Sequence, residues 1–207
     1  VNIMSLIASR MSRIKPSPTV AVSTRAQELQ AAGESVINLG VGEPDFDTPL
    51  HIREAAIEAM NAGKTRYAPP QGIPELRQAI VDKFRRENGL DYDTNQVTVG
   101  TGGKQVIFNA FTATIDDGDE VIVPAISWAT TYHPLQQYGL RLCFVDVELE
   151  TLNIDTGALK DALTPQTRAI VAVSILGNPA DLTAVRAFAD DHGLYFLEDN
   201  CESLDAE

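Results

Sequence analysis

The chain has 207 residues, of which 44% are hydrophobic and 22% charged, a composition typical of a folded globular protein and not of a disordered segment. Its 16 basic and 29 acidic residues give a net charge of -13, which repels phosphate backbones and excludes nucleic acid as an expected partner. No apolar run approaches the roughly 20 residues of a membrane-spanning helix, and two cysteines do not indicate a disulfide framework. We therefore expect a cytoplasmic protein without membrane or nucleic-acid partners.

The N-terminal part of the chain is predicted to be helical with irregular connections. Its first residues are interpreted as a loose arm, because they lack the sustained apolar core of a signal peptide. A helix is predicted over 17–32, ended by Gly33, which tolerates the left-handed conformation of a helix C-terminus. A short strand at 36–39 and a loop rich in glycine and proline at 40–49 follow. Two more helices are predicted from apolar residues that recur at helical spacing.

Beyond Asn95, short apolar runs alternate with amphipathic stretches. Strands that alternate with helices predict right-handed crossovers and a mostly parallel sheet with helices on both faces. The sequence therefore predicts a three-layer α/β/α fold. The predicted strands lie near 96–100, 120–124, 141–146, 169–173 and 194–198. The predicted helices lie near 103–115, 129–138, 155–163 and 181–192.

Residues that follow the predicted strands are the candidates for a binding site, because ligands of open α/β sheets collect at the carboxyl ends of the strands. After the strand ending at Val99, the segment 100–105 reads Gly-Thr-Gly-Gly-Lys-Gln and opens directly into a helix. Its bare amides and the helix N-terminus could cradle a phosphate, or the glycines could serve only a tight turn. The segment is neither a dinucleotide fingerprint nor a Walker loop.

Three further turns carry candidate side chains. Trp128, the only tryptophan, could stack on a flat aromatic ligand or cover the sheet as a core residue. The amide of Asn178 could donate to an oxygen anion or bond its own turn. Asp199 ends a buried strand, where a carboxylate is costly unless a cation pairs with it, and the alternative is that Asp199 or Ser203 caps a helix. No neighbouring lysine or arginine in the sequence is an evident partner, whereas a protonated ring nitrogen would serve.

From residue 12 to 124 the chain resembles class I aminotransferases of the aspartate aminotransferase type, which use pyridoxal 5'-phosphate (PLP). The matching segments are Asn38–Phe46, Arg66–Gly72 and Gly102–Gln105. This resemblance implies that the loop with Gly40 lies beside the substrate and that Tyr67 reaches the cofactor phosphate of a partner subunit in a homodimer. It also implies that Gly102, Gly103 and Lys104 hold the phosphate in their own subunit.

From residue 126 to 207 the chain resembles the nucleotide-sugar aminotransferases of the DegT/DnrJ/StrS type, which share the fold-type I architecture. The matching segments are Ser127–Tyr132, Leu176–Asp181 and Glu198–Leu204. The resemblance implies that Asp199 pairs with the pyridine nitrogen, that Trp128 stacks on the ring and that Asn178 lies near the phenolic oxygen. Glu202, also expected at the cofactor, stands where many of these enzymes have glutamine. We interpret the chain as a join of the two branches near residues 124–128.

Together the resemblances predict a PLP-dependent aminotransferase whose substrates are an amino acid donor and a keto acid or nucleotide-sugar acceptor. They assign residues 1–45 to an N-terminal arm and small-domain segment, and residues 46–207 to the PLP-binding large domain. No metal site is predicted.

The Schiff-base lysine of both branches comes from a segment after the strand that ends at Asp199. The last lysine here is Lys160, and eight residues follow Asp199. We therefore expect a chain truncated before that lysine and before the C-terminal small domain, inactive by itself. The alternatives are a PLP-dependent sugar dehydratase of the same fold, with histidine in place of lysine, and a non-catalytic α/β dimerisation module.

Overall fold

The chain divides into two units, Val1–Arg66 and Tyr67–Glu207. The structure is a computed structural model that describes residues 7–40, 42, 44, 46–203 and 206. Within these residues, the helices are all too short or too polar to span a bilayer.

The N-terminal unit is built from helices. Proline at the first position begins α1, and Gly33 follows its end with a φ of +89°, as predicted. The predicted strand at 36–39 is wrong: these residues pair with no strand, and Ile37 and Leu39 are 86% and 90% exposed. A strand needs a hydrogen-bonded neighbour, and the described part of this unit offers none. Its helices are a 3₁₀ turn at Ser9–Arg13, α1 at Pro18–Ala31 and α2 at Leu50–Asn61.

The second unit is organised around a parallel sheet of four strands in the order β2-β1-β3-β4, which confirms the mostly parallel sheet. The strands are β1 at Glu120–Pro124, β2 at Arg141–Val145, β3 at Thr167–Val173 and β4 at Tyr195–Asp199. The α-helices are α3 at Pro74–Lys83, α4 at Gly103–Thr114, α5 at Ala129–Gln137 and α6 at Leu182–His192. Shorter helical turns lie at Phe84–Asn88 (π) and at Thr94–Gln96, Thr156–Ala162 and Ile175–Gly177 (3₁₀).

Helices cover both faces of this sheet. On one face α4 and α5 pack against each other, and Leu135 of α5 is buried with Val121 and Val171 of the central strands. On the other face α6 packs on β3 and β4, over the cluster that holds Ile122 and Ile170. Neighbouring residues of one strand therefore enter opposite cores, so the central strands need apolar residues at every position. The predicted three-layer α/β/α fold is confirmed.

The predicted strand at 96–100 is wrong. Thr94–Gln96 forms a 3₁₀ turn, and the N–H of Val99 then donates to the carbonyl of Gln71 at 3.0 Å. The segment lies beside none of the four described strands, so it has no ladder to join. The glycine-rich turn at 100–105 consequently follows an extended connection and not a strand.

Helices cover β3 on both faces. Truncating a buried aliphatic residue of this strand should therefore destabilise the protein far more than truncating an exposed aliphatic residue. Ile170→Ala should lower the free energy of unfolding by about 2 to 5 kcal/mol, because Ile170 is fully buried and a cavity would remain. Leu149→Ala is the matched control, since Leu149 is 90% exposed, and should change it by about 0.5 kcal/mol or less. Urea unfolding followed by circular dichroism measures both. Equal losses of unfolding free energy in the two variants would contradict a sheet that is buried on both faces.

Candidate functional site

The strand order creates a crevice at the carboxyl edge of the sheet, between β1 and β3. The chain moves outward from β1 to β2 and then returns to β3 on the other side of β1. Helices α5 and α6, which follow β1 and β3, pack on opposite faces. Such a switch point is where open α/β sheets bind ligands. Trp128 and Asn178 follow β1 and β3, and Asp199 ends β4, so the parallel sheet places all three at this edge.

Asp199 is a buried carboxylate at the end of β4, with a residue exposure of 6%. The hydroxyl of Thr131 donates to its Oδ2 at 2.8 Å, and the backbone N–H of Cys201 donates to its Oδ1 at 3.4 Å. No lysine or arginine among the described residues forms an ion pair with it. Residues 200–203 form a turn, so the helix-capping alternative for Asp199 is wrong. The carboxylate is hydrogen-bonded but its charge is not compensated by these residues.

The charge of Asp199 perturbs the groups around it. Burial and then this charge raise the pKa of Cys201 to about 11. Burial first, with a contribution from Asp199, raises the pKa of Tyr132 to about 12. The same two causes raise the pKa of Glu198. Three neighbours thus become harder to ionise, chiefly because they are buried and in part because the negative charge of Asp199 lies near them.

Trp128 precedes α5 directly and is 51% exposed, so the interpretation as a core tryptophan is wrong. The neighbouring hydroxyl of Ser127 is buried and has no hydrogen-bond partner among the described residues. It lies near Tyr132, but the phenol proton of Tyr132 is directed to the carbonyl of Pro124 at 2.5 Å. This bond ties the first turn of α5 to the end of β1 and leaves the indole of Trp128 accessible to a ligand.

The glycine-rich turn leaves backbone amides free at the start of α4. Gly102 has a φ of +90°, and a side chain at Gly103 would meet no atom within 4 Å. In the part of the chain that the structure describes, the N–H groups of Gly103 and Lys104 make no hydrogen bond. The N–H of Thr101 is used differently, since it donates to Oε1 of Gln105 at 2.6 Å. Two adjacent amides at a helix N-terminus are suited to an anion.

Asn178 and Glu202 both contact backbone in the structure. The amide nitrogen of Asn178 donates to the carbonyl of Thr151 at 3.1 Å, 27 positions away in the sequence, and this is a different contact from the bond within its own turn that was considered for it. Oε2 of Glu202 accepts from the N–H of Leu176 at 2.8 Å, and Leu176 has an unusual φ of +55°. Both side chains therefore fasten the loop after β3, and their contacts with a cofactor stay predictions.

Gly40 and Tyr67 belong to different units of the structure. Gly40 lies in the N-terminal unit, where its N–H donates to Oδ1 of Asn38 at 2.9 Å. A side chain there would start 2.9 Å from the hydroxyl oxygen of Ser23, so the position favours glycine. Tyr67, the first residue of the second unit, is fully exposed. The expected roles of Gly40 at the substrate and of Tyr67 in a partner subunit stay predictions.

The sequence interpretation did not identify Thr131. This residue is 3% exposed and supplies the shortest hydrogen bond to Asp199, although the two lie far apart in the sequence. The available signal was its position three residues after Trp128 in a predicted helix, which puts both residues on the same turn.

Comparison with solved structures and curated proteins identifies closely similar chains. A structure of aspartate aminotransferase from Thermus thermophilus with maleate has a TM-score of 0.82 and 42% identity, over 95% of this chain and 53% of that one. The probable aspartate/prephenate aminotransferase of Rhizobium leguminosarum bv. phaseoli is 51% identical over 166 residues, which are 80% of this chain and 42% of the relative. The aspartate/prephenate aminotransferase of Thermus thermophilus is 43% identical over 205 residues, 93% of this chain and 52% of the relative.

The chain spans about half the length of the curated relatives it matches. The longer alignments extend beyond the predicted join near 124–128, so the likeness to aspartate/prephenate aminotransferases is not confined to the first part. A profile of the DegT/DnrJ/EryC1/StrS aminotransferases matches residues 86–207. Both predicted resemblances are therefore confirmed, while the position of a join stays a prediction. Since the profile match covers more than half of the sequence, the chain belongs to the DegT/DnrJ/EryC1/StrS aminotransferase family.

Proposed function

We propose that this chain provides the cofactor-binding part of a PLP-dependent aminotransferase, which transfers an amino group from an amino acid to a keto acid. The observation that carries the proposal is the buried carboxylate of Asp199, whose charge no described lysine or arginine balances. Bound PLP withdraws electrons from the reacting carbon through its protonated ring nitrogen, and that nitrogen is a cation of the kind this carboxylate needs.

The residues present fit PLP at both ends of the cofactor. Asp199 would hold the ring nitrogen, and the exposed indole of Trp128 would stack on the ring. The free N–H groups of Gly103 and Lys104 would bind the phosphate at the start of α4. The buried, unpartnered hydroxyl of Ser127 is a further polar group beside Trp128 that a ligand could satisfy. The carboxylate thus matches the ring nitrogen of PLP, the indole matches its flat ring, and the free amides match its phosphate.

The names of the relatives support an amino acid and a keto acid as substrates over a keto sugar. They are called aspartate/prephenate aminotransferases. The sugar dehydratase alternative is defined by histidine in place of the lysine, and the glutamate at position 202, where many nucleotide-sugar aminotransferases have glutamine, is the departure among the residues present that suggests it. The carboxylate of Glu202 accepts from the N–H of Leu176. That contact gives Glu202 a role in the loop after β3 and offers the dehydratase no support.

The proposal includes a homodimer in the cytoplasm. Tyr67 is fully exposed, as expected for a side chain that reaches the cofactor phosphate of a partner subunit. Two free cysteines, Cys143 and Cys201, are compatible with a reducing compartment. We also keep residues 1–45 as the arm and small-domain segment and 46–207 as the PLP-binding large domain, while the two units of the structure divide between Arg66 and Tyr67.

The proposed role of Asp199 predicts a specific loss of PLP affinity. Asp199→Asn should weaken PLP binding about tenfold or more, because the amide carries no charge for the ring nitrogen. Quenching of Trp128 fluorescence measures the affinity, since the chain has one tryptophan. Asp190→Asn is the matched control: Asp190 pairs with Arg186 on the exposed side of α6, and its loss should leave the affinity unchanged. Equal affinities of Asp199→Asn and the parent chain would refute the assignment.

The positions of the lysines predict that the 207-residue polypeptide binds PLP reversibly and does not transaminate. None of its five lysines follows Asp199, and Lys104 lies at the proposed phosphate end. A positioned base contributes about a hundredfold to ten-thousandfold in rate, and we expect that contribution to be missing. Borohydride treatment with PLP, peptide mass mapping and a coupled transamination assay measure this. Stoichiometric reduction onto one lysine, together with turnover well above free PLP, would contradict the prediction.

The proposed dimer predicts self-association of the purified chain. Sedimentation velocity across a range of concentrations should show a dimer, since Tyr67 would act on the site of a second copy. Tyr67→Phe should keep the dimer and weaken PLP binding, because only the hydroxyl that would meet the phosphate is removed. A monomer at the highest concentration would be evidence against a shared site.

A further inference from the structure

We infer that Thr131 is a positioning residue, which orients the carboxylate of Asp199 so that one oxygen remains available to a protonated ring nitrogen. The inference rests on the proposed function, because it assigns a role relative to PLP.

The bond between Thr131 and Asp199 is buried and joins two different elements of the fold. Thr131 lies in the first turn of α5, Asp199 lies at the end of β4, and their exposures are 3% and 6%. The O–O distance of 2.8 Å is that of a good hydrogen bond, in which the threonine hydroxyl donates to Oδ2. A side-chain rotation of Asp199 would break this bond, which costs more at a buried position than at the surface.

The two oxygens of Asp199 are held unequally. Oδ2 has the short bond to Thr131, whereas Oδ1 accepts a longer 3.4 Å contact from the backbone N–H of Cys201, whose thiol also interacts with the carboxylate. A carboxylate has about four acceptor positions, so each oxygen can accept another donor. Because the shorter bond fixes Oδ2, the weakly held Oδ1 is the oxygen with more capacity for a new partner.

A neutral donor suits this task better than a charged one. A lysine or arginine at position 131 would neutralise Asp199 and compete with the ring nitrogen, whereas a hydroxyl favours the ionised carboxylate and leaves its charge in place.

The same residue also connects Asp199 to Trp128. The backbone N–H of Thr131 donates to the carbonyl of Trp128 at 3.0 Å, so the two residues belong to one tight turn. Thr131 therefore links the group proposed to hold the ring nitrogen to the group proposed to stack on the ring.

The test compares Thr131→Val, which keeps the shape and removes the hydroxyl, with Thr131→Ser, which keeps the hydroxyl. Thr183→Val, at an exposed position of α6 on the other face of the sheet, is the control. Each variant is titrated with PLP and with 1-deaza-PLP, in which carbon replaces the ring nitrogen, and binding is followed by Trp128 fluorescence. Circular dichroism verifies that each variant is folded.

We expect Thr131→Val to weaken PLP binding about tenfold and to leave 1-deaza-PLP binding unchanged, since only PLP has the nitrogen that Asp199 would meet. Thr131→Ser and the control should bind both ligands like the parent chain. Equal weakening for both ligands would overturn the inference, because a merely structural bond would affect both alike. If Thr131→Val binds PLP normally, or if Thr131→Ser is as weak as Thr131→Val, the inference also fails while the proposed function stands. If the parent chain binds neither ligand, the proposed function itself fails.

Discussion

The buried negative charge at the end of β4 is the constraint on which the candidate site depends. A parallel sheet brings the carboxyl ends of its strands to one edge, and at that edge Asp199 is enclosed by α5 and by the turn that follows it. Its contacts supply hydrogen-bond donors to the carboxylate. Among the described residues, however, no lysine or arginine pairs with its negative charge. A buried charge in that position is unfavourable unless a cation pairs with it. The proposed preference of the site for a cationic ring nitrogen rests on this imbalance of charge.

The sheet and its layers could be predicted because their signals are local. Unbroken apolar runs such as 169–173 indicate a strand covered on both faces, and helical spacing between such runs indicates crossovers. Trp128 and Asp199 could be identified from the positions at which those runs end. Patterns of this kind need no knowledge of which strand lies beside which. The sheet and its layers are confirmed, while the roles of Trp128 and Asp199 at a cofactor stay predictions.

Features that depend on distant partners could not be predicted in the same way. Residues 96–100 have a strand-like sequence, yet the N–H of Val99 bonds to Gln71 because no described strand lies beside the segment. The bond from Thr131 to Asp199 likewise depends on how α5 packs above β4. Asn178 has a turn-like sequence, but its contact with Thr151 requires two loops to meet. Each of these three contacts is set by tertiary packing, which the spacing of apolar residues in the sequence does not reveal.

The packing around α5 also explains how segments resembling two branches can share one core. Phe111 and Val121 precede the predicted join, Leu135 and Val171 follow it, and all four belong to one buried cluster. The hydrogen bond from Tyr132 to the carbonyl of Pro124 spans the join directly. The residues proposed for the phosphate lie on α4, before the join, whereas those proposed for the ring lie after it. The proposed ring residues include Asp199 at the end of β4 as well as Trp128 before α5. Because α4 packs on α5, this helix pair contributes to the spacing between the proposed phosphate end and the proposed ring end of the site.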